Sequence, residues 1–261
     1  MQNSLRHSFA IQRRVIGALL MREVITRFGR HNIGFLWLFV EPMIFTLGVA
    51  TLWAVTGAGH GHGVSPVAFA VTGYSSVLLW RNIASRSIHA IQPNLALMHH
   101  RNVKILDLCL SRALLEIAGA SLSFVILGTV FCALGWMTPP VDILKLLGGW
   151  LILMWLGTAL GVLVGSLAER SDVVEKLWGP FTYLLFPLSG AIFMVDWLPP
   201  SFRAIVLWVP MVHAVELLRA GYFGAAVHAH YELHYVLGVC LGMTFFGLVQ
   251  ARIVGRTVLP E

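Results

Sequence analysis

The run Leu36–Thr56, LWLFVEPMIFTLGVATLWAVT, carries a single charged residue, Glu41, in a stretch long enough to cross the hydrocarbon core of a bilayer as an α-helix. Arg6, Arg13, Arg14, Arg22, Arg27 and Arg30 all precede it. Short segments rich in Lys and Arg stay in the cytosol during insertion, so this span enters with its leading end inside. Five further apolar runs follow, and one threading of all six leaves only Lys145, Arg203 and Arg219 of the 18 Lys and Arg residues on the far side. That asymmetry predicts an all-α membrane protein, a single transmembrane domain over residues 1–261, with both termini in the cytoplasm. The predicted spans are about 36–56, 64–80, 113–134, 143–167, 177–195 and 235–254, with an interface helix within residues 1–35.

Composition agrees. Hydrophobic residues make up 57% and charged residues 11%, against about 45–50% and about 25% in soluble domains. Six spans leave no room for a separate soluble domain. The net charge of +6 is accounted for by topology, so nucleic acid is not an expected partner. Cys109, Cys132 and Cys240 are odd in number, widely spaced and in or beside apolar segments, which supports neither a disulfide framework nor a metal site. The N-terminal stretch has no compact apolar core followed by a small-residue cleavage site, and no removable signal peptide is expected.

Phe9, Ile16, Leu20, Val24 and Phe28 recur at helical spacing, although Arg13 and Arg27 project close to that stripe. Two readings remain open: a helix lying in the membrane interface with its arginines reaching to headgroups, or a cytosolic helix packed on the protein's own loops. The span 64–80 is short for a bilayer. The connection from Arg81 to Arg112 contains an apolar piece, VKILDLCL, readable as a short surface helix. Pro180 and Pro187 interrupt the fifth span, and such prolines are tolerated where neighbouring protein satisfies the freed carbonyls. Pro199, Pro200 and Pro210 break the region 196–231, which predicts a re-entrant helical hairpin on the periplasmic side between spans five and six. No inverted repeat argues for a secondary transporter.

The sequence has no GxxxxGK[ST] phosphate loop, no HExxH and no GxSxG. It is not expected to be an enzyme, to bind a cofactor or to hold a metal. Any ATP drive must come from another chain.

The stretch Arg22–Met43, REVITRFGRHNIGFLWLFVEPM, presents a basic helix, then Arg27-Phe28, Gly34, Trp37 and Glu41-Pro42. Farther on, WLPPSFR precedes His213–Gly224, HAVELLRAGYFG. Together with size and span number, these features resemble type 2 ABC exporter permeases, and most nearly the permease subunit of bacterial capsular polysaccharide exporters. The resemblance implies a homodimer in the bacterial inner membrane joined to two copies of a separate nucleotide-binding ATPase, which would bind ATP and Mg. It also implies a lipid-linked polysaccharide as cargo, with periplasmic and outer-membrane export proteins taking it onward. In such machines short cytosolic helices seat on the ATPase. By position, the connection around Pro93, His99, His100, Arg101, Lys104 and Asp107 is the leading candidate for that coupling, and the interface helix is second. A solvated loop with ordinary positive-inside charge is the competing reading.

Glu41 is read as a polar anchor between span one and the interface helix, pairing with Arg27 or Arg86, or else as a carboxylate hydrated at the headgroups. Glu116, one turn into span three, carries the same two readings. Glu216 and Arg219 share a helix face and either cap the pore mouth or hold the hairpin, the structural role being favoured. Tyr74, Phe181, Tyr183 and Phe186 are candidate glycan contacts, because aromatic rings offer an apolar body to sugar C–H faces; simple packing is the alternative. His60 and His62, and His228, His230 and His234, lack a ligand pattern for a metal. Competing functions are an O-antigen or teichoic acid exporter of the same kind, a standalone channel or proton-coupled carrier, and an intramembrane lipid-modifying enzyme.

Overall fold

The computed structural model describes residues 2–28, 32–56, 63–100 and 103–258, and these contain helices and turns with no strand. Ten α-helices follow in order: α1 (Gln2–Phe28), α2 (Asn32–Thr56), α3 (Pro66–Ile88), α4 (Leu95–His100), α5 (Ile105–Ala133), α6 (Ile143–Arg170), α7 (Asp172–Leu188), α8 (Pro200–Val206), α9 (Pro210–Phe223) and α10 (Leu233–Val258). Local chemistry sets several of their starts. Ser65 accepts from the Ala68 amide at 3.5 Å ahead of Pro66, and Asp142 accepts from the Leu144 and Lys145 amides at 3.0 and 3.1 Å. Each side chain satisfies donors that the first helical turn leaves open.

Among the described residues four helices are long and apolar enough to cross a membrane: the segments Leu36–Thr56, Ile105–Ala133, Ile143–Arg170 and Leu233–Thr257. A fifth would be α8 with α9, if that pair, bent by 107°, is taken as one broken span. The protein is therefore an all-helical membrane protein with four or five such candidates. Three boundaries differ from the sequence reading. Helix α3 runs past position 80 to Ile88 and so includes Arg81 and Arg86; its hydroxyls at Thr72, Ser76 and Ser87 donate to carbonyls one turn back, which lets a polar helix be buried. Helix α5 starts at Ile105 rather than Ala113, absorbing most of the VKILDLCL piece. Helix α7 starts at Asp172 and stops at Leu188, short of 195, and its 17 residues rise only about 25 Å.

The centre of the bundle is α6, whose apolar window is 61% buried, against 17% for α2 and 22% for α10. Lipid offers no hydrophobic drive for helix association, so close approach of backbones has to supply it. Gly157, Gly161 and Gly165 repeat every fourth residue on α6 and face α3: Cβ atoms there would lie 3.0 Å from the Trp80 Cα, 2.7 Å from the Ser87 Oγ and 2.7 Å from the Ser87 carbonyl oxygen. Trp80, Leu153, Leu156 and Leu218 are fully buried in the resulting core, which joins α3, α6 and α9. Large apolar side chains outside it, such as Leu52, Val125, Leu184 and Phe245, are well exposed, as lipid contact requires.

The two ends of the bundle are chemically different. At one end Leu19 of α1, Met98 of α4, Val103, Ile105 and Leu108 around the start of α5, and Ala251 and Val254 of α10 form a second core. The N-terminal helix and the last turns of α10 thus meet at the same end. At the other end α9 is sewn to the α5–α6 turn, with the Asp142 amide donating to the Gly221 carbonyl at 2.8 Å.

Candidate functional site

At the α1 end, residues far apart in sequence converge on one layer of charge. Helix α1 lies across α5 and touches α2, and its last two turns bring three charged side chains inward. Arg22 donates to Asn94. Glu23 accepts the Arg112 Nε at 3.2 Å. Arg27 pairs with Glu116 and lies 3.7 Å from Glu41. Arg86 completes the layer, with its Nε 3.7 Å from Glu116 while its own carbonyl accepts from Arg112 at 2.8 Å.

Glu116 is the hub. Its side chain is 7% exposed, whereas that of Glu41 is 38% exposed. A carboxylate this enclosed requires compensating charge, and two guanidinium groups supply it. The expected Glu41–Arg27 contact is present, but Arg86 goes to Glu116, a residue that sequence reading weighted less. Beside the layer is a cavity of about 330 Å³, lined by Arg22, Arg27, Arg86, His89 and Asn94 among others.

The proposed coupling residues divide. Pro93 and Lys104 are exposed. The side chains of His99 and His100, and Arg101 altogether, lie outside the described residues. Asp107 is 3% exposed and turned inward: it accepts from the Lys104 amide at 3.1 Å, capping α5, and from Gln12 of α1 at 3.1 Å. Asp107 therefore fastens the interface helix to α5. Gln92 donates to Glu169 at 2.7 Å, and His89 lies 3.4 Å from Glu175. The connection between α3 and α5 thus reaches α1 on one side and α6 and α7 on the other. Of the signature around span one, Trp37 is exposed and Pro42 sits inside a continuous α2; the surroundings of Gly34 lie outside the described residues.

At the α9 end, Glu216 and Arg219 are both fully buried. Arg219 donates to the carbonyls of Gly190, Ala191 and Phe193 at 2.6, 2.6 and 2.7 Å, and its guanidinium lies 3.7 Å over the Phe69 ring. Gly190, at φ +80°, gives the turn after α7 the left-handed geometry that presents these carbonyls. Glu216 accepts from the Val195 and His230 amides at 3.0 and 2.9 Å. His213 donates through Nε2 to the Leu207 carbonyl and accepts at Nδ1 from the Glu232 amide, which fixes its neutral tautomer. These three side chains hold the α7–α10 connections in place, so the structural reading of Glu216 and Arg219 is the one their geometry favours.

Of the aromatic candidates, Tyr74 and Phe186 meet edge to face, with ring centroids 6.2 Å apart. The Tyr183 ring carries the Arg81 guanidinium at 4.8 Å. Phe181 leans on Trp178, which donates to Ser85 at 3.0 Å. Three of the four therefore cluster along the α3–α7 flank, and Phe181 belongs to the exposed stripe with Leu177 and Leu184. Among the described residues no group of three His, Cys, Asp or Glu could hold a metal ion; His60 and His62 lie outside them.

Sequence reading missed the tethers made by Gln12, Arg22, Glu23, Asn94 and Arg112. One signal was available: Arg22-Glu23 and Thr26-Arg27 repeat at a four-residue interval and so share one face of a helix. Their partners lie 72 to 95 residues away, beyond any local pattern.

Comparison with known proteins bears on what this arrangement serves. Residues 14–223 match the ABC-2 type transporter family. The chain is 42% identical over 260 residues to the capsule polysaccharide export inner-membrane protein CtrC of Neisseria meningitidis serogroup B, covering 100% of this chain and 98% of that one. It is 40% identical to the capsule polysaccharide export inner-membrane protein BexB of Haemophilus influenzae, with the same coverage. The polysialic acid transport protein KpsM of Escherichia coli is 28% identical over 251 residues, 95% of this chain and 96% of its own.

Proposed function

Because the chain belongs to the ABC-2 type transporter family, we propose that it is the membrane permease of an ATP-driven exporter that moves lipid-linked capsular polysaccharide across the bacterial inner membrane. One observation carries this reading: end-to-end similarity, 42% identical over 260 residues, to an inner-membrane protein of capsule polysaccharide export. The chain supplies a conduit and no catalysis. In the full machine two copies pair, and two copies of a separate ATPase bind ATP and Mg and deliver the stroke. Both termini face the cytosol, and the α8–α9 pair forms a re-entrant hairpin at the periplasmic side. Helices α3 and α7 count as spans alongside the four strongly apolar ones, giving six in all. Periplasmic and outer-membrane export proteins receive the glycan.

The coupling surface is the α3–α5 connection with Pro93, His99, His100, Arg101 and Lys104, with Asp107 anchoring it. Closure of an ATPase changes the pathway only through a contact with two arrangements of different energy. The charge layer is such a contact: Arg27 stands between two carboxylates and Glu116 between two guanidinium groups. A tilt of α1 can therefore exchange partners without baring a charge.

Deletion of the gene for this chain tests the function. The expected result is a lipid-linked polysaccharide accumulating inside the cell, identified by mass spectrometry, with surface polymer restored by the chain together with an active ATPase. An accumulated O-antigen or teichoic acid would move the cargo to that class. Export that continues with the ATPase inactivated would instead make this a channel or carrier. Charge reversal at Arg101 and Lys104 is expected to weaken assembly with the ATPase or to separate hydrolysis from export; unchanged transport would remove that segment from the mechanism.

A further inference from the structure

Arg81 differs from the other arginines that pack within the bundle. Arg27, Arg86 and Arg112 reach carboxylates, and Arg219 is surrounded by carbonyls. Among the described residues Arg81 pairs with no carboxylate and donates no hydrogen bond; its guanidinium instead lies 4.8 Å over the Tyr183 ring.

Its height in the bundle makes this unusual. A Cβ on Gly157, at the middle of the 28-residue α6, would sit 3.0 Å from the Cα of the neighbouring Trp80. Arg81 is thus level with the midpoint of the most buried membrane helix, and not at the end of α3 where the sequence reading put it. A cation at that depth is costly unless it faces a cavity or a partner. Trp80 and Ile83 beside it are fully buried, yet Arg81 is partly open. Tyr74 lies two turns away on the same face of α3, in edge contact with Phe186, so two tyrosines and a phenylalanine surround the open side.

We propose that Arg81, with Tyr183 behind it and Tyr74 and Phe186 beside it, is a binding site within the membrane for an anionic group, a carboxylate or phosphate, of the exported glycolipid. This rests on the exporter reading above. A guanidinium presents a planar fork of donors that matches a carboxylate or phosphate edge, and stacking on Tyr183 fixes the plane while leaving the fork free. The rings take the C–H faces of the adjoining sugars. The same chemistry is offered by an acidic sugar of the polymer and by a phosphate of the lipid linkage.

The test uses the complete permease–ATPase complex in lipid nanodiscs, with the lipid-linked glycan recovered from the deletion strain as probe and stimulation of ATP hydrolysis as readout. Arg81→Gln is expected to raise the half-stimulating concentration about tenfold or more, and Arg81→Lys by less. Tyr183→Leu, at an exposed position, should shift it in the same direction, while Tyr183→Phe keeps the ring and the wild-type value. Probe with its carboxyls reduced to alcohols separates the sources. If wild type and Arg81→Gln then respond alike, the group bound is the polymer's carboxylate; if the gap persists, it is the lipid phosphate. A guanidinium that only reaches up to headgroups would leave Arg81→Gln with wild-type stimulation, and that result overturns the site. Should Arg81→Gln fail to assemble, wild-type stimulation in Tyr183→Leu overturns it equally. A wild-type complex that no recovered glycan stimulates would sink the exporter reading, and the site with it.

Discussion

The α9 end and the α1 end bury charge in opposite ways. Arg219 donates its hydrogen bonds to backbone carbonyls of one turn, and Glu216 accepts from backbone amides, so each is held by atoms that cannot rearrange without unfolding the connection. Arg27, Arg86, Glu41 and Glu116 are held by one another, from four different helices. Side-chain pairs can trade partners at little cost, whereas a backbone cage has a single solution. The first end is fixed by backbone atoms, and the second has the alternative partners that the proposed coupling would need. This contrast yields distinct expectations for stability and for export.

Substituting Arg219 should do the most damage to folding. Arg219→Leu strips the Gly190, Ala191 and Phe193 carbonyls of their donor and leaves Glu216 without the nearby cation, a loss of roughly 3–5 kcal/mol. Lys, with a shorter reach and no fork, should rescue little. Thermal unfolding of the detergent-purified protein measures this, and a wild-type melting temperature for Arg219→Leu would remove the distinction between the ends.

Gly73→Ala probes the same cage from below. A Cβ there would fall on the Ala191 carbonyl and lie 2.5 Å from the Arg219 guanidinium, with backbone on one side that cannot swing away. Overpacking of this kind costs about 1–3 kcal/mol. The same melting assay should place Gly73→Ala between wild type and Arg219→Leu. A variant as stable as wild type would show that the turn after α7 can shift, and that the cage is softer than its bond lengths imply.

The charge layer should act on export as well as on melting, because Glu116, 7% exposed, sits between two guanidinium groups. Glu116→Arg sets three cations together and is expected to cut surface polysaccharide about tenfold while the protein still purifies. Arg27→Glu combined with Glu116→Arg restores opposite charges, and the coupling between the two sites should amount to about 0.5–3 kcal/mol in a double-mutant cycle on stability. Independent, additive effects would dissolve the layer as a unit.

Legibility in the sequence followed the range over which each cause acts. Four of the six expected spans, the shared end of α1 and the last turns of α10, and the broken α8–α9 region are local or summed properties, carried by apolar runs, arginine placement and prolines, and these were readable. Boundaries were less so: Arg81 looked like the end of a span because it is charged, yet α3 continues since its neighbours Trp80, Ile83 and Ser87 pack on glycines of α6. The Glu41–Arg27 contact was legible because both residues flank one short connection. The role of Glu116 was not, as its partners approach from α1 and α3. Asp107 misled for a related reason, since an aspartate in the connection ahead of span three reads as surface until a cap and Gln12 claim it.

The smallest effect belongs to an exposed pair at the α9 end. Asp196 accepts from His230 Nε2 at 3.1 Å, with Arg203 3.6 Å away. The His230 hydrogen bond, with lesser help from the charges of His230, Arg203 and His228, holds the Asp196 carboxyl below the usual aspartate range, and slight burial opposes it. A carboxyl whose folded value is depressed adds stability above its unfolded value and loses that contribution as pH falls through the folded one. Solvent screens a pair this open, so Asp196→Asn should lower the melting temperature by about 2 °C or less at neutral pH. The gap between variant and wild type should then close below about pH 4. A gap that widened on acidification would assign the stabilisation to another group. A gap as large as that of Arg219→Leu would mean that this surface pair, and not the buried cage, fixes the α9 end.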